Sequence, residues 1–193
     1  MRRIKNMKHH HKLYTIIGVI IVAAFVALSM KDTVYRWYQI TAQDIAQDLN
    51  KLQVIFNNIN NSCVITGFDN EKNQINFLTV TAFAGSQVGS MNVENPAGWQ
   101  GPYMQENLTA QGKEYQVVHA KDGYFILPGD GVILPTRKVM GTDITIDGTV
   151  AVQSLMATEL MYKGKPLAIQ LNIGKQNASE GAVGAGVPEE LEG

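Results

Sequence analysis

Apolar residues crowd one stretch near the start of the chain. Leu13 to Met30 (LYTIIGVIIVAAFVALSM) is 18 residues without a charge. As a helix rising about 1.5 Å per residue it spans roughly 27 Å, enough for a bilayer core. From Lys31 to Asn58 there is no Pro or Gly. Apolar residues there fall at Val34, Trp37 or Tyr38, Ile45, Leu49, Leu52, Phe56 and Ile59. Spacings of three and four make the stripe of an amphipathic helix. Arg36, Gln43, Asp44, Gln47, Asp48 and Asn57 fall on the other face. Anchor and stripe together predict one continuous helix of about 45 residues, close to 70 Å long. The run Asn57-Asn58-Ile59-Asn60-Asn61-Ser62 should end it, because Asn and Ser bond local backbone in non-helical shapes.

Beyond the helix the pattern weakens and then turns to β. Gln74 to Val80 reads as a short strand or a helix, and Ala82 to Ser90 as a loop. Glu114 to His119 and Tyr124 to Leu127 are rich in strand formers, with turn chemistry between them at Lys121-Asp122-Gly123. Val132 to Leu134 and Asp143 to Ile146 are short extended candidates. Thr149 to Tyr162 predicts a helix, and Leu167 to Ile173 alternates as a strand. Residues 174–193 hold several Gly, few large apolar side chains and four Glu, the composition of a disordered tail. The expected fold class is α+β, a helix whose stripe walls a small core of hairpins. Its segments are a basic tip at 1–12, a transmembrane half-helix at 13–30, an amphipathic half at 31–60, a head at 61–173 and the tail.

Charge orients the anchor. Arg2, Arg3, Lys5, Lys8 and Lys12 precede it with no acid among them, while residues 13–193 carry the other 11 basic and all 17 acidic residues, a formal balance of −6. The positive-inside rule puts the basic tip in the cytoplasm and the body outside. Tyr35, Trp37 and Tyr38 suit the membrane–water interface. A cleaved signal peptide is the competing reading, with Ala27-Leu28-Ser29 as its processing site. His9-His10-His11 reads as part of the polar tip rather than a metal cluster. No cluster of Lys and Arg in the body suggests nucleic acid. The single cysteine, Cys63, excludes an intramolecular disulfide and reads as a small buried residue. There is no phosphate loop, no CxxC and no paired-histidine motif, so an enzyme is not expected.

The least ordinary stretch is Asn95-Pro96-Ala97-Gly98-Trp99-Gln100-Gly101-Pro102-Tyr103-Met104. Its two X-Pro steps set turns, and its aromatics should pin the loop to the core. This segment resembles the tryptophan signature of the major pseudopilins of type II secretion systems, relatives of type IV pilins. Gly112 to Val117 and Tyr124 to Gly131 resemble that family's following strand and Asp-Gly loop. The likeness covers roughly residues 13–147, and its departure is at the start. His11-Lys12-Leu13-Tyr14-Thr15 stands where the family has Gly and a Phe-Thr-Leu-x-Glu start. The resemblance implies a pilin-like fold, one long N-terminal helix, half transmembrane and half amphipathic, packed on a small antiparallel sheet. It implies a structural subunit of a secretion or pilus-type assembly in the bacterial inner membrane, its N-terminus cytoplasmic and its C-terminal domain periplasmic. The partners would be other pilin-like subunits, secretion machinery and membrane lipid. It also implies calcium, a hard cation for oxygen ligands. The carbonyl of Leu127 and the carboxylate of Asp130 match that pattern, Asp143 does so more loosely, and Asp147 is a further candidate. Asp130 and Asp143 also read as plain turn residues beside glycines. A single-pass periplasmic binding or scaffold protein is the second functional reading, and a small anchored enzyme the third.

Overall fold

A computed structural model describes the backbone of residues 3–174 and, inside the first helix, the side chains at 17–23, 25, 26 and from 41 onward. The side chains of the basic tip and of Tyr35, Trp37 and Tyr38, and the whole tail from 175, lie outside the described residues.

Helix α1 runs Arg3–Cys63. Its head-proximal stripe is Ala42, Ile45, Leu49, Leu52, Phe56, Ile59 and Cys63, each at most 2% exposed. Gln43, Gln47, Asn57 and Asn61 face water. The Asn-Ser run does not break the helix before its end, as propensity alone suggested. Ile59 and Cys63 are buried, and burial outweighs a few tenths of a kcal/mol of propensity, about 1.5–3 kcal/mol for a large apolar side chain. The stop comes at Val64, which takes φ +56°, an unusual conformation for a β-branched residue. Its N–H returns to the Asn60 carbonyl at 3.0 Å. The buried Asn60 side chain accepts from Ile65 N–H at 3.0 Å and donates to the Gly174 carbonyl at 2.9 Å, so the two ends of the head are latched together.

The strands that follow are short. They are β1 (Ile65–Phe68), β2 (Lys72–Gln74), β3 (Gln87–Val88), β4 (Met91–Val93), β5 (Thr109–Ala110), β6 (Lys113–Glu114), β7 (Gln116–Ala120) and β8 (Gly123–Leu127), then β9 (Met161–Tyr162), β10 (Lys165–Pro166) and β11 (Ile169–Leu171). A 3-10 turn spans Pro96–Gly98, and helix α2 is Val152–Met156. The largest sheet has the order β11-β8-β7-β2, all antiparallel. β7 and β8 form a hairpin in register from Gln116↔Leu127 to Ala120↔Gly123, closing through Lys121 and Asp122. A second sheet orders β1-β4-β3, and β5-β6 and β9-β10 are separate hairpins.

The expected pilin-like fold is therefore corrected. Among the described residues the β-structure is not one small sheet but four separate antiparallel ones, and no single sheet there receives a long helix across its face. The part of α1 with described packing, from residue 41, meets β8 and β11 of one sheet, β10 of another and the 3-10 turn. Strands of two to five residues, broken by Gly-, Asn- and Pro-containing turns, cannot build a continuous wall, so the core is closed by several small pieces. Among the described residues no helix is long and apolar enough to cross a membrane. Much of 13–30 lies outside the described side chains.

Other expectations shift locally. The helix expected over Thr149–Tyr162 is only α2, followed by a turn and β9. The loop expected over Ala82–Ser90 contains β3. Val132–Leu134 and Asp143–Ile146 contribute single bridges, Ile133↔Val139 and Met140↔Ile144. One core joins all of this. Phe56 stands edge-on to Phe77, centroids 6.2 Å apart at 87°, and Tyr115, Val117, Phe125, Leu134, Val152 and Leu167 complete it.

Candidate functional site

Three features of the surface carry chemistry or contact. The first is the aromatic loop after the second sheet. It is docked on the end of α1 by backbone first. Glu94 N–H donates to the Val64 carbonyl at 2.9 Å and Asn95 N–H to the Cys63 carbonyl at 2.8 Å. The Asn95 side chain adds a bond to the Ser62 carbonyl at 3.1 Å. Gly98 passes so close that a Cβ there would fall on the Ser62 carbonyl oxygen. Trp99 then turns inward and donates its indole N–H to the Val80 carbonyl at 3.1 Å. Its ring stands edge-on between Phe83 (5.3 Å) and Tyr103 (4.9 Å). Gln100 N–H donates to the Tyr103 hydroxyl at 3.2 Å. The sequence expectation that aromatics pin this loop matches what these contacts do.

The second feature is the acidic region after β8, where calcium was expected. Leu127 is buried as the last residue of β8, opposite Gln116. Asp130 lies in the following turn and is engaged by Lys72, whose ammonium stands 3.2 Å from its Oδ2. Gly141, at φ +79°, approaches so near that a Cβ would strike the Asp130 side chain. Asp143 accepts from Val139 N–H at 2.8 Å, closing its own turn. Asp147 accepts from the hydroxyl of Thr149 and from its N–H at 2.9 Å. The Thr149 hydroxyl first, and then its N–H, hold that carboxyl below the ordinary carboxylate value. Asp130 is thus paired with Lys72, and the Asp143 and Asp147 carboxylates each close a local turn. Among the described residues no three His, Cys, Asp or Glu side chains converge as metal ligands.

The third feature went unseen in the sequence. Tyr115 is fully buried, and its hydroxyl donates to Asp48 Oδ2 at 2.9 Å. Asp48 was placed on the polar face of α1, yet it turns half-buried toward the head. Burial raises its pKa, the Tyr115 hydroxyl opposes that, and Asp44 one turn away raises it further. The Tyr115 phenol is also pushed up, by burial and then by the Asp48 charge. A cavity of about 140 Å³ beside the pair is bounded by Asp44 and Gln111. An acid at i+4 from another on a helix is a weak signal. A buried tyrosine that must place its hydroxyl is the stronger one.

His119 lies on the outer side of β7 and stacks on Tyr124, centroids 4.4 Å apart at 17°. Cys63 is buried as expected. Further down α1, Ile17, Val19, Ile20, Ile21, Val22, Phe25 and Val26 are 44–67% exposed. Four of these are consecutive, so the helix is apolar all the way round at this level. No protein-family model, no curated protein and no solved structure matches this chain.

Proposed function

We propose that this chain is a structural subunit of pseudopilin type in a secretion or pilus-type assembly, anchored by α1 in a bacterial inner membrane with its head in the periplasm. The observation that carries this reading is the exposed apolar belt at 17–26 on the same helix whose stripe from 42 to 63 closes the head core. A helix apolar on every side needs lipid or neighbouring helices around it. One uninterrupted helix makes that surface continuous with the head, so whatever packs against the belt also positions the head. The five basic residues before the belt favour a cytoplasmic N-terminus. The work of such a protein is contact, helix to helix in the membrane and head to head outside.

A second reading is favoured by one feature of the sequence. The run from Leu13 to Met30 contains no acid. A buried carboxylate in lipid seeks a partner, and without one nothing polar enforces a register between neighbouring helices. That favours a single-pass scaffold that stays in the membrane. Cysteine crosslinking separates the two. With Ile20→Cys, Val22→Cys and Val26→Cys, each oxidised in native membranes, a fibre subunit gives a ladder of crosslinked species with a positional pattern along the helix. Monomer at every position would reject the subunit reading in favour of the scaffold. Accessibility of a head cysteine to an impermeant reagent in intact cells tests the orientation in the same samples.

A further inference from the structure

A groove of about 650 Å³ runs between the last turns of α1 and the aromatic loop, lined by Asn58, Asn61, Ser62, Gln100, Pro102 and Tyr103. It is a shallow depression largely open to solvent, so a ligand there keeps one side in water. None of the lining residues carries a charge. That disfavours nucleic acid, which needs Lys or Arg on phosphate, and it disfavours acidic or basic peptides. There is also no apolar patch in it that would seat a hydrophobic helix.

What the lining does offer is amide groups and one aromatic ring. Each carboxamide presents two N–H donors and an acceptor oxygen, a set that matches vicinal hydroxyls, which donate and accept in turn. Asn58 and Asn61 are three residues apart on α1 and therefore neighbours on one face. Both are exposed, and neither side-chain amide, nor that of Gln100, hydrogen-bonds to another described residue. Tyr103 supplies the ring, half-buried, perpendicular to Trp99 with centroids 4.9 Å apart, and held by the Gln100 N–H on its hydroxyl. Weakly positive C–H groups of a pyranose favour the negative face of such a ring. The walls are pre-set, because the loop is tied to Ser62 and Cys63 by Asn95 and closely apposed at Gly98. A site already held in shape loses less entropy on binding.

We infer that this groove binds a neutral oligosaccharide, with Tyr103 stacking on one ring and Asn58, Asn61 and Gln100 bonding its hydroxyls. This is independent of the anchored-subunit reading and stands or falls separately. Trp99, in contact with Tyr103, reports on it. The test uses the full chain, purified free of sugar-headed detergent and carrying Trp37→Phe so that fluorescence comes from Trp99. Cellotetraose, chitotetraose and maltotetraose are titrated in turn. We expect a saturable change with at least one of them. We expect Asn58→Ala and Asn61→Ala each to weaken it about two- to tenfold, as loss of one hydrogen bond implies. Val54→Ala, on the same helix but outside the groove, should leave affinity unchanged. Side-chain amide signals of Asn58 and Asn61 should shift on titration while circular dichroism of the variants matches the parent. No saturable response to any of the three sugars overturns the proposal. So does a response that Asn58→Ala, Asn61→Ala and Gln100→Ala all leave intact.

Discussion

Removing one oxygen from Tyr115 tests how α1 is fastened to the head. The phenol is fully buried and its only described hydrogen-bond partner is the Asp48 carboxylate at 2.9 Å. Tyr115→Phe keeps the ring and its packing and deletes that bond. A hydrogen bond to a charged group is worth about 1.5–3 kcal/mol when buried. Asp48 is half-buried and keeps some access to water, so we expect a loss of about 1–2 kcal/mol, near 3–8 °C in Tm for a domain of this size. Asp48→Asn should behave differently. The amide oxygen still accepts from the phenol, while the desolvated charge and its repulsion from Asp44 disappear. That variant should be neutral or slightly more stable. The pH dependence follows from the raised pKa of Asp48. The folded protein holds this proton more tightly than the unfolded chain, whose value is 3.8. The associated stabilisation is complete below that value and is lost as pH rises through the higher folded pKa. Burial is the main cause, with the Tyr115 bond and the Lys51 charge opposing it and the Asp44 charge adding to it. Asp48→Asn should remove this dependence, and Tyr115→Phe should enlarge it. Thermal melts of the four proteins in the double-mutant cycle, between pH 3 and pH 8, read all of this. If Asp48→Asn destabilises as much as Tyr115→Phe, the charge itself stabilises the joint and the argument from desolvation is refuted.

Other expectations concern packing, capping and a surface ion pair. Leu52→Ala empties a fully buried position on the α1 stripe and should cost about 2–5 kcal/mol, whereas Val54→Ala, 59% exposed on the same turn, should stay within about 0.5 kcal/mol in the same denaturant titration. Asp122 accepts from Val152 N–H at 3.0 Å and from Gln153 N–H at 2.8 Å, so Asp122→Ala should cost about 0.5–2 kcal/mol and unfold α2 first by hydrogen exchange. Burial raises the Asp122 pKa, but the N–H groups of Gln153 and then Val152 outweigh it and the carboxyl is held below its ordinary 3.8, so its contribution is present above that pH and lost as pH falls through the folded value. Asp130 pairs with Lys72 at the surface, so Asp130→Ala should cost no more than about 1 kcal/mol in a denaturant titration, and a larger loss would show that Asp130 does more than hold this ion pair.

The parts of the fold that were legible are those set by local periodicity. The stripe at Ile45, Leu49, Leu52, Phe56 and Ile59 is buried as spaced, because any helix with that period must hide that side. The β7–β8 hairpin follows from two runs of strand formers and a turn between them. What failed needed partners distant in sequence. The helix persists through Asn57–Ser62 because Ile59 and Cys63 are covered by the head and Asn60 finds Ile65 and Gly174. Thr149–Tyr162 has a helical composition, yet only the turn capped by Asp122 stays helical. The division of the β-structure into four sheets is a long-range property of pairing, and strands of two or three residues leave almost no periodic trace.

The candidate sites divide along the same line. The tryptophan loop was legible because Pro, Gly and aromatic residues have strong individual meanings, and each does what its chemistry requires: Gly98 for close approach, Trp99 for a buried N–H bond. The acidic residues were ambiguous because a carboxylate beside glycine serves a turn as readily as a metal, and the lysine that pairs with Asp130, Lys72, is 58 positions away. The amides of the groove had no sequence signal at all. Asn58 and Asn61 looked like helix breakers, since Asn is poor at forming helix and good at ending it. Packing of Ile59 and Cys63 under the head keeps the segment helical, and that helix geometry sets Asn58 and Asn61 side by side beside the aromatic loop, an adjacency that propensity alone does not contain.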